Sequence, residues 1–231
     1  MGDAGPKRPP PAQLPLELPV AERLRRDDFL PAPANVAALA MIDRWPDWPS
    51  SALLLLGPAG SGKSHLAALW ARAADAQALA PDCIFDAHTL AERRPRALLL
   101  DALDDVADET ALFHLMNFCH ENNVSLLMTA RSAPSAERIR LPDLLSRLRR
   151  APRIEIGSPD DDLFRAVLEK LFLDRQLSVD PSVIAYLSVR LERSLAAARA
   201  FVCELDREAL ARGRAVTRPL AAEVLGRLGT G

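Results

Sequence analysis

Residues 57–64 read Gly57-Pro58-Ala59-Gly60-Ser61-Gly62-Lys63-Ser64 and follow an apolar run, Ala52 to Leu56. A G-x-x-x-x-G-K-S between a strand and a helix is a phosphate-binding loop. Its glycines let successive backbone N–H groups turn inward on an anion, its lysine reaches the β and γ oxygens, and its serine hydroxyl serves Mg²⁺. The helix formers from His65 to Ala74 predict a helix whose N-terminus faces that anion. Gly57, Gly60, Ser61, Gly62, Lys63, Ser64 and His65 are therefore candidate nucleotide-binding residues. ADP or ATP, with Mg²⁺, is the expected cofactor.

A second motif is Ala97-Leu98-Leu99-Leu100-Asp101, an apolar strand ending in an acid. In the P-loop class such an aspartate orients the Mg²⁺ hydration shell opposite the loop serine, so Ser64 and Asp101 are the expected metal pair. P-loop ATPases of the AAA+ type usually carry a second acid at the next position, to polarise the attacking water, and here that residue is Ala102. A methyl group cannot act as a base. Asp104 or Asp105 would have to substitute from the following turn, displaced by about 3.3 Å per extended residue, so slow intrinsic hydrolysis is expected. Thr129 stands at the end of the apolar run Val124–Met128, where a γ-phosphate sensor would sit; the alternative is a threonine that satisfies backbone groups.

Two sets of arginines stand out. In Leu141-Pro142-Asp143-Leu144-Leu145-Ser146-Arg147-Leu148-Arg149-Arg150 the leucines form an apolar stripe and the arginines fall outside it. Such a cluster is either a solvated face or the source of an arginine that reaches the γ-phosphate of a neighbouring molecule. Helical spacing alone does not choose among Arg147, Arg149 and Arg150. Arg193 is expected to open the helix carrying Leu195, Ala198, Val202 and Leu205. A cation at a helix N-terminus calls for an anion, either a nucleotide phosphate or the adjacent Glu192.

These residues need a frame to hold them. Apolar runs at Ala52–Leu56, Cys83–Phe85, Ala97–Leu100, Val124–Met128 and Arg153–Ile156 alternate with helical patterns such as Glu109–His120. That alternation predicts an α/β domain with a parallel sheet over 21–157. Beyond Gly157 only helical patterns remain (Asp160–Leu173, Pro181–Leu191, Glu192–Arg212, Arg218–Leu228), predicting a small all-helical subdomain over 158–231. The proline-rich start should be a mobile tail, with 1–20 outside the domain. Within it, Gln13, Leu14, Leu16 and Leu18 place leucines on alternate positions behind an amide, a pattern suited to docking in an apolar groove or to covering the chain's own core.

With 231 residues, 49% of them hydrophobic, the chain can bury a substantial core. A net charge of −2 argues against DNA as the main partner, so any DNA contact should be indirect. Cys83, Cys119 and Cys203 lie in apolar contexts without C-x-x-C and are expected to be buried free thiols. No stretch approaches membrane-spanning length and the N-terminus lacks an apolar signal core, so a cytoplasmic location without membrane contact is expected.

The P-loop, the LLLD strand, the PDLLSRL segment and the R-S-L-A-A-A helix start together resemble the AAA+ core of the DnaA initiator family. The short chain led by Q-L-P-L-E-L is similar to that family's regulatory branch, the Hda group. The resemblance covers nearly everything after residue 12. It implies a P-loop AAA+ core with a helical lid, and it implies that Gln13, Leu14, Leu16 and Leu18 dock on the β sliding clamp. Arg147 matches the arginine finger, Thr129 the first sensor and Arg193 the second, while Phe29, Leu30 and Asn35 fall in a segment resembling the adenine cradle. The implied function is regulatory inactivation: clamp-bound protein presents Arg147 to ATP-loaded DnaA and ends initiation, with DNA contacted through the clamp alone. Whether the protein self-associates is left open. A DnaC-like helicase loader, or another ATP-driven remodelling enzyme, is the alternative.

Overall fold

The computed structural model describes residues 26–82, 90 and 92–228. The candidate clamp peptide (Gln13, Leu14, Leu16, Leu18), Cys83 and the expected strand Cys83–Phe85 lie outside them.

Five parallel strands form one sheet: β1 (Ala52–Leu56), β2 (Gln77–Leu79), β3 (Ala97–Leu100), β4 (Ser125–Ala130) and β5 (Arg153–Glu155), in the order β2-β3-β4-β1-β5. Every residue of β1 and β3 is buried, as strands covered on both faces require. Side chains alternate between the faces with a period of two. Leu54, Leu56, Leu98, Leu100, Leu126 and Met128 point to one face, where they meet α3 (Glu109–Glu121) and α4 (Pro142–Arg150). Leu53, Leu55, Leu99 and Leu127 point to the other, against α1 (Val36–Asp43) and α2 (Lys63–Ala74). At the centre of this second face Trp48 stacks on the fully buried Trp70, ring centroids 5.1 Å apart, and Trp45 meets it edge-on.

The C-terminal region has its own core. Phe164, Leu168 and Phe172 of α5 (Asp161–Asp174), Leu187 of α6 (Pro181–Arg190), Phe201 and Leu205 of α7 (Leu195–Arg212) and Val224 of α8 (Arg218–Leu228) pack together. Three of these helices begin on a side-chain cap: Asp160 accepts from the Leu163 N–H, Asp180 from Ser182 and Ser194 from Ala197, satisfying donors that a helix start leaves orphaned.

One strand was not expected: Gln77–Leu79, three half-exposed residues, pairs with β3. Three expectations shift. Thr129 lies inside β4, paired with Leu55, because that strand runs on to Ala130. Helix α7 starts at Leu195 rather than Glu192, since Ser194 is its N-cap. Cys119 is buried as expected, but Cys203 is exposed, on the side of α7 away from Val202 and Leu205.

Candidate nucleotide site and outward arginine

In a parallel sheet all carboxyl ends share one edge, and ligands of such folds bind in the crevice outside it. The phosphate loop leaves β1 at that edge, with the Gly57 N–H donating to the Ala130 carbonyl at 3.1 Å. The loop is tightly seated. A Cβ on Gly57 would lie 2.4 Å from the Ile156 carbonyl oxygen, and one on Gly60, at φ +70°, would lie 1.9 Å from Ser194 Oγ. Gly62 caps α2 in the left-handed region, where glycine carries no steric penalty.

Lys63 donates to the Gly57 and Pro58 carbonyls at 2.7 and 2.8 Å. Burial pulls its ammonium below the ordinary lysine range; Asp101 and then Asp104 counteract this, and the Arg131 guanidinium adds to the depression. Ser61 Oγ is buried without a hydrogen-bond partner. An orphaned hydroxyl, a cradle too tight for a Cβ and a desolvated ammonium are what a phosphate-binding loop requires, so the donor set fits a nucleotide polyphosphate.

Asp101, at the end of β3, accepts from Thr129 Oγ1 at 2.5 Å, and the same hydroxyl accepts the Ala102 N–H at 2.9 Å. Thr129, 1% exposed, thus fixes the Asp101 carboxylate and satisfies a backbone donor. Ala102 sits at φ 63°, ψ 59°, a left-handed conformation that costs a non-glycine residue about 1–2 kcal/mol. Neither acid of the following turn stands in for a base. Asp104 accepts the Arg131 N–H at 2.6 Å and pairs with Arg138 at 2.7 Å, its side chain only 7% exposed. Asp105 is exposed, 3.9 Å from Arg131.

A cavity of about 190 Å³ adjoins the loop. Gly60, Gly62, Lys63, Ser64 and His65 form its floor, and Phe29, Leu30 and Asn35 line one side, so the structure brings these expected residues together. The Phe29 and His65 rings meet edge-to-face at 5.4 Å. Asn35 works locally: it accepts the Ala32 N–H and donates to the Leu30 carbonyl, fixing the loop that forms the wall. The other side comes from the C-terminal helices, through Leu163, Leu195 and Arg199. The Leu195 N–H donates to the Gly60 carbonyl at 2.8 Å, and Lys170 pairs with Asp28 at 3.0 Å, so the helical region is fastened to the loop and to the adenine-side segment.

Arg193 does not line this cavity; its partner is Asp161 at 2.7 Å, both side chains exposed. Arg199, on the same helical face as Leu195, stands there instead. It carries no motif signal, and placing it requires knowing how α7 meets the loop.

The three candidate arginines of α4 lie at the opposite edge of the sheet. Helix α4 leads into the start of β5, which runs parallel to β1, so its C-terminal end faces the amino edge. A groove there of about 510 Å³ is lined by Ser50, Ser51 and Ala52 at the start of β1, with Phe113, Arg147 and Arg150. The five residues of β1 separate this groove from the phosphate loop, about 16 Å at roughly 3.3 Å per residue. The residues differ in placement: Arg147 is half-buried with its guanidinium 5.3 Å from the Phe113 ring centroid, Arg150 is exposed on the groove, and Arg149 is exposed away from it.

No family model and no curated protein sequence matches the chain. Among solved structures, domain III of the Thermotoga maritima replication initiation protein DnaA aligns with a TM-score of 0.74 at 16% identity, over 91% of this chain and 98% of that one. AMPPCP-bound DnaA from Aquifex aeolicus gives 0.63 at 16% identity over 78% of this chain and 63% of that one. The Thermotoga maritima RuvB Holliday junction branch migration motor gives 0.59 at 13% identity over 84% and 67%. At such identities the likeness concerns the fold, and no helix among the described residues is long and apolar enough to cross a membrane. A five-stranded parallel sheet with helices on both faces, followed by a helical C-terminal region, gives this chain the AAA+ fold of the DnaA and RuvB domains.

Proposed function

We propose that this protein is a regulator of replication initiation of the Hda type: a nucleotide-binding AAA+ protein that docks on the DNA-loaded β sliding clamp and stimulates hydrolysis of ATP held by DnaA. The observation that carries the reading is the position of Arg147. It sits across the sheet from its own phosphate loop, so its guanidinium serves a nucleotide on another molecule rather than the one in cis. Arginines supplied in trans stabilise the charge that develops on a transferring phosphoryl group.

The protein's own site serves a different purpose. Lys63, Ser64 and the loop amides would hold the polyphosphate of ADP or ATP, Ser64 and Asp101 would share Mg²⁺ through its waters, and Phe29 and Leu30 would flank the base. Bound Mg²⁺ would supply charge neutralisation. With Ala102 in place of an acid, and Asp104 already engaged by Arg131 and Arg138, the position that would activate water carries a methyl group and the buried acid of the following turn is committed elsewhere. The nucleotide therefore serves to set conformation, fastening the phosphate loop to α7. Gln13, Leu14, Leu16 and Leu18 would provide the clamp contact, and DNA would be reached through the clamp.

The test is hydrolysis of DnaA-bound ATP with the protein added, in the presence and absence of DNA-loaded clamp. Stimulation that requires the clamp, together with intrinsic turnover far below the median enzyme rate of about 10 s⁻¹, is the expected result. Rapid turnover by the protein alone, with DnaA-bound ATP unaffected, contradicts the reading and favours an ATP-driven loader or remodelling enzyme.

A further inference from the structure

Helix α4, which carries Arg147, begins without a cap of its own. Its N-cap position is Leu141, which makes no side-chain capping bond, and Pro142 follows, so the backbone N–H groups here need an acceptor from elsewhere. Glu109 is that acceptor. The Arg140 N–H donates to both of its carboxylate oxygens, each at 3.0 Å, and the Leu141 N–H donates to Oε2 at 2.6 Å. A carboxylate at this end of a helix also complements its dipole. Glu109 is the first residue of α3, and Phe113, four positions on, shares its helical face. One face of α3 therefore holds α4 at its start and again beneath the Arg147 guanidinium.

The segment leading into α4 is fixed from the same direction. Asp104 takes the Arg131 N–H and the Arg138 guanidinium, and Glu109 takes Arg140 and Leu141. Both acids lie just downstream of Asp101, the residue tied to Thr129 at the nucleotide edge. Every anchor of the chain between β4 and α4 named here is thus a carboxylate of the stretch that leaves the nucleotide site.

We propose that Glu109 is the positioning residue for Arg147: by capping α4 it sets where that helix begins and how it points, and so where the guanidinium stands in the groove. The proposal rests on the trans-arginine reading above. Glu109 touches no nucleotide under this account; it acts through α4. A displacement of about 1 Å in a catalytic group lowers the rate by on the order of 100-fold.

The experiment uses the full chain as wild type, Glu109→Ala, Glu109→Gln and Arg147→Ala, with two readouts. In amide hydrogen exchange, Glu109→Ala raises exchange at Arg140, Leu141 and the first turn of α4, while α2 keeps its protection. In the DnaA-ATP assay with loaded clamp, Glu109→Ala lowers maximal stimulation by about 10- to 100-fold with the half-saturating concentration unchanged. Glu109→Gln, which keeps an acceptor oxygen, recovers part of the loss. Unchanged maximal stimulation, a change in half-saturation alone, or loss of protection extending through α2 overturns the proposal. If wild type itself fails to stimulate, the trans-arginine reading falls and the role of Glu109 falls with it. If wild type stimulates and Glu109→Ala does so equally, positioning alone is overturned.

Discussion

The two edges of the sheet are built differently. At the carboxyl edge Thr129 binds Asp101 and Ala102, Lys63 binds two loop carbonyls, and the Gly60 carbonyl takes the Leu195 N–H, while Ser61 Oγ alone is buried without a partner among the described residues of the loop. At the amino edge Asp143, Ser146 and Arg150 are exposed around a groove more than twice as large, and Arg147 rests on an aromatic ring rather than a carboxylate. A preorganised, partly desolvated edge suits a small ligand that the protein keeps. An open edge with a guanidinium held on a π face suits a contact made and broken, because leaving the ring forfeits only about 0.5–1 kcal/mol. Under the proposed function the first edge holds the protein's nucleotide and the second meets another protein's.

Substitutions confined to one edge separate the two roles. The largest effect is expected for Lys63→Ala. Losing the one ammonium inside the phosphate loop should weaken ADP and ATP binding by about 2–5 kcal/mol, or roughly 30-fold or more in Kd, measured by calorimetric titration. Binding at wild-type affinity would show that the cavity beside α2 is not the nucleotide site. Next is Gly60→Ala, which forces a Cβ into Ser194 and a side chain into the left-handed region. The combined cost is about 2–5 kcal/mol, and at roughly 2–4 °C per kcal/mol for a chain of this size thermal unfolding should shift down by about 4–20 °C. An unchanged midpoint would mean that the contact between loop and α7 is not maintained in solution.

The smallest effect concerns pH. The hydrogen bond to Asp28, followed by that to Asp174, raises the Lys170 ammonium above the ordinary lysine value of 10.5. A cation raised in the folded state lends stability that is fully present below the unfolded value and is lost as pH climbs through the folded one. Comparison of wild type with Lys170→Met by urea unfolding should therefore show a difference that holds from neutral pH to about 10 and closes above it. A difference that does not vary across that range would assign the effect to packing of the aliphatic stem.

How much of this was legible beforehand follows from what each feature depends on. The phosphate loop and Asp101 announce themselves because a motif, a preceding apolar strand and a following helix agree within one stretch of sequence, and β1, β3 and the helices from α5 to α8 follow from periodicity. Strand β2 was missed because Gln77-Ala78-Leu79 is three residues at a sheet edge, too short for alternation to register. Sequence pattern starts α7 at Glu192, three residues before the structure does, because Glu192 and Arg193 are ordinary helix residues and the capping bond of Ser194 marks the boundary. Arg199 entered the cavity wall, and Arg193 left it for Asp161, because both depend on how the helical region seats against Gly60. The choice among Arg147, Arg149 and Arg150 likewise lies in tertiary contacts, since Phe113 belongs to another helix. Glu109 reads in the sequence as one more acid at a helix start, and its grip on residues 31 and 32 positions away is visible only in the fold.

The central claim is that Arg147 acts on a nucleotide this protein does not hold. The measurement is a paired one: ADP affinity of the Arg147→Ala protein, and its stimulation of DnaA-bound ATP hydrolysis with DNA-loaded clamp, with Arg149→Ala and Arg150→Ala as controls. The account predicts wild-type ADP affinity and clamp binding for Arg147→Ala, with stimulation lost almost entirely, since trans arginines contribute on the order of 10³–10⁵ in rate. Normal stimulation by Arg147→Ala, or a loss of ADP affinity that accounts for its defect, would contradict it.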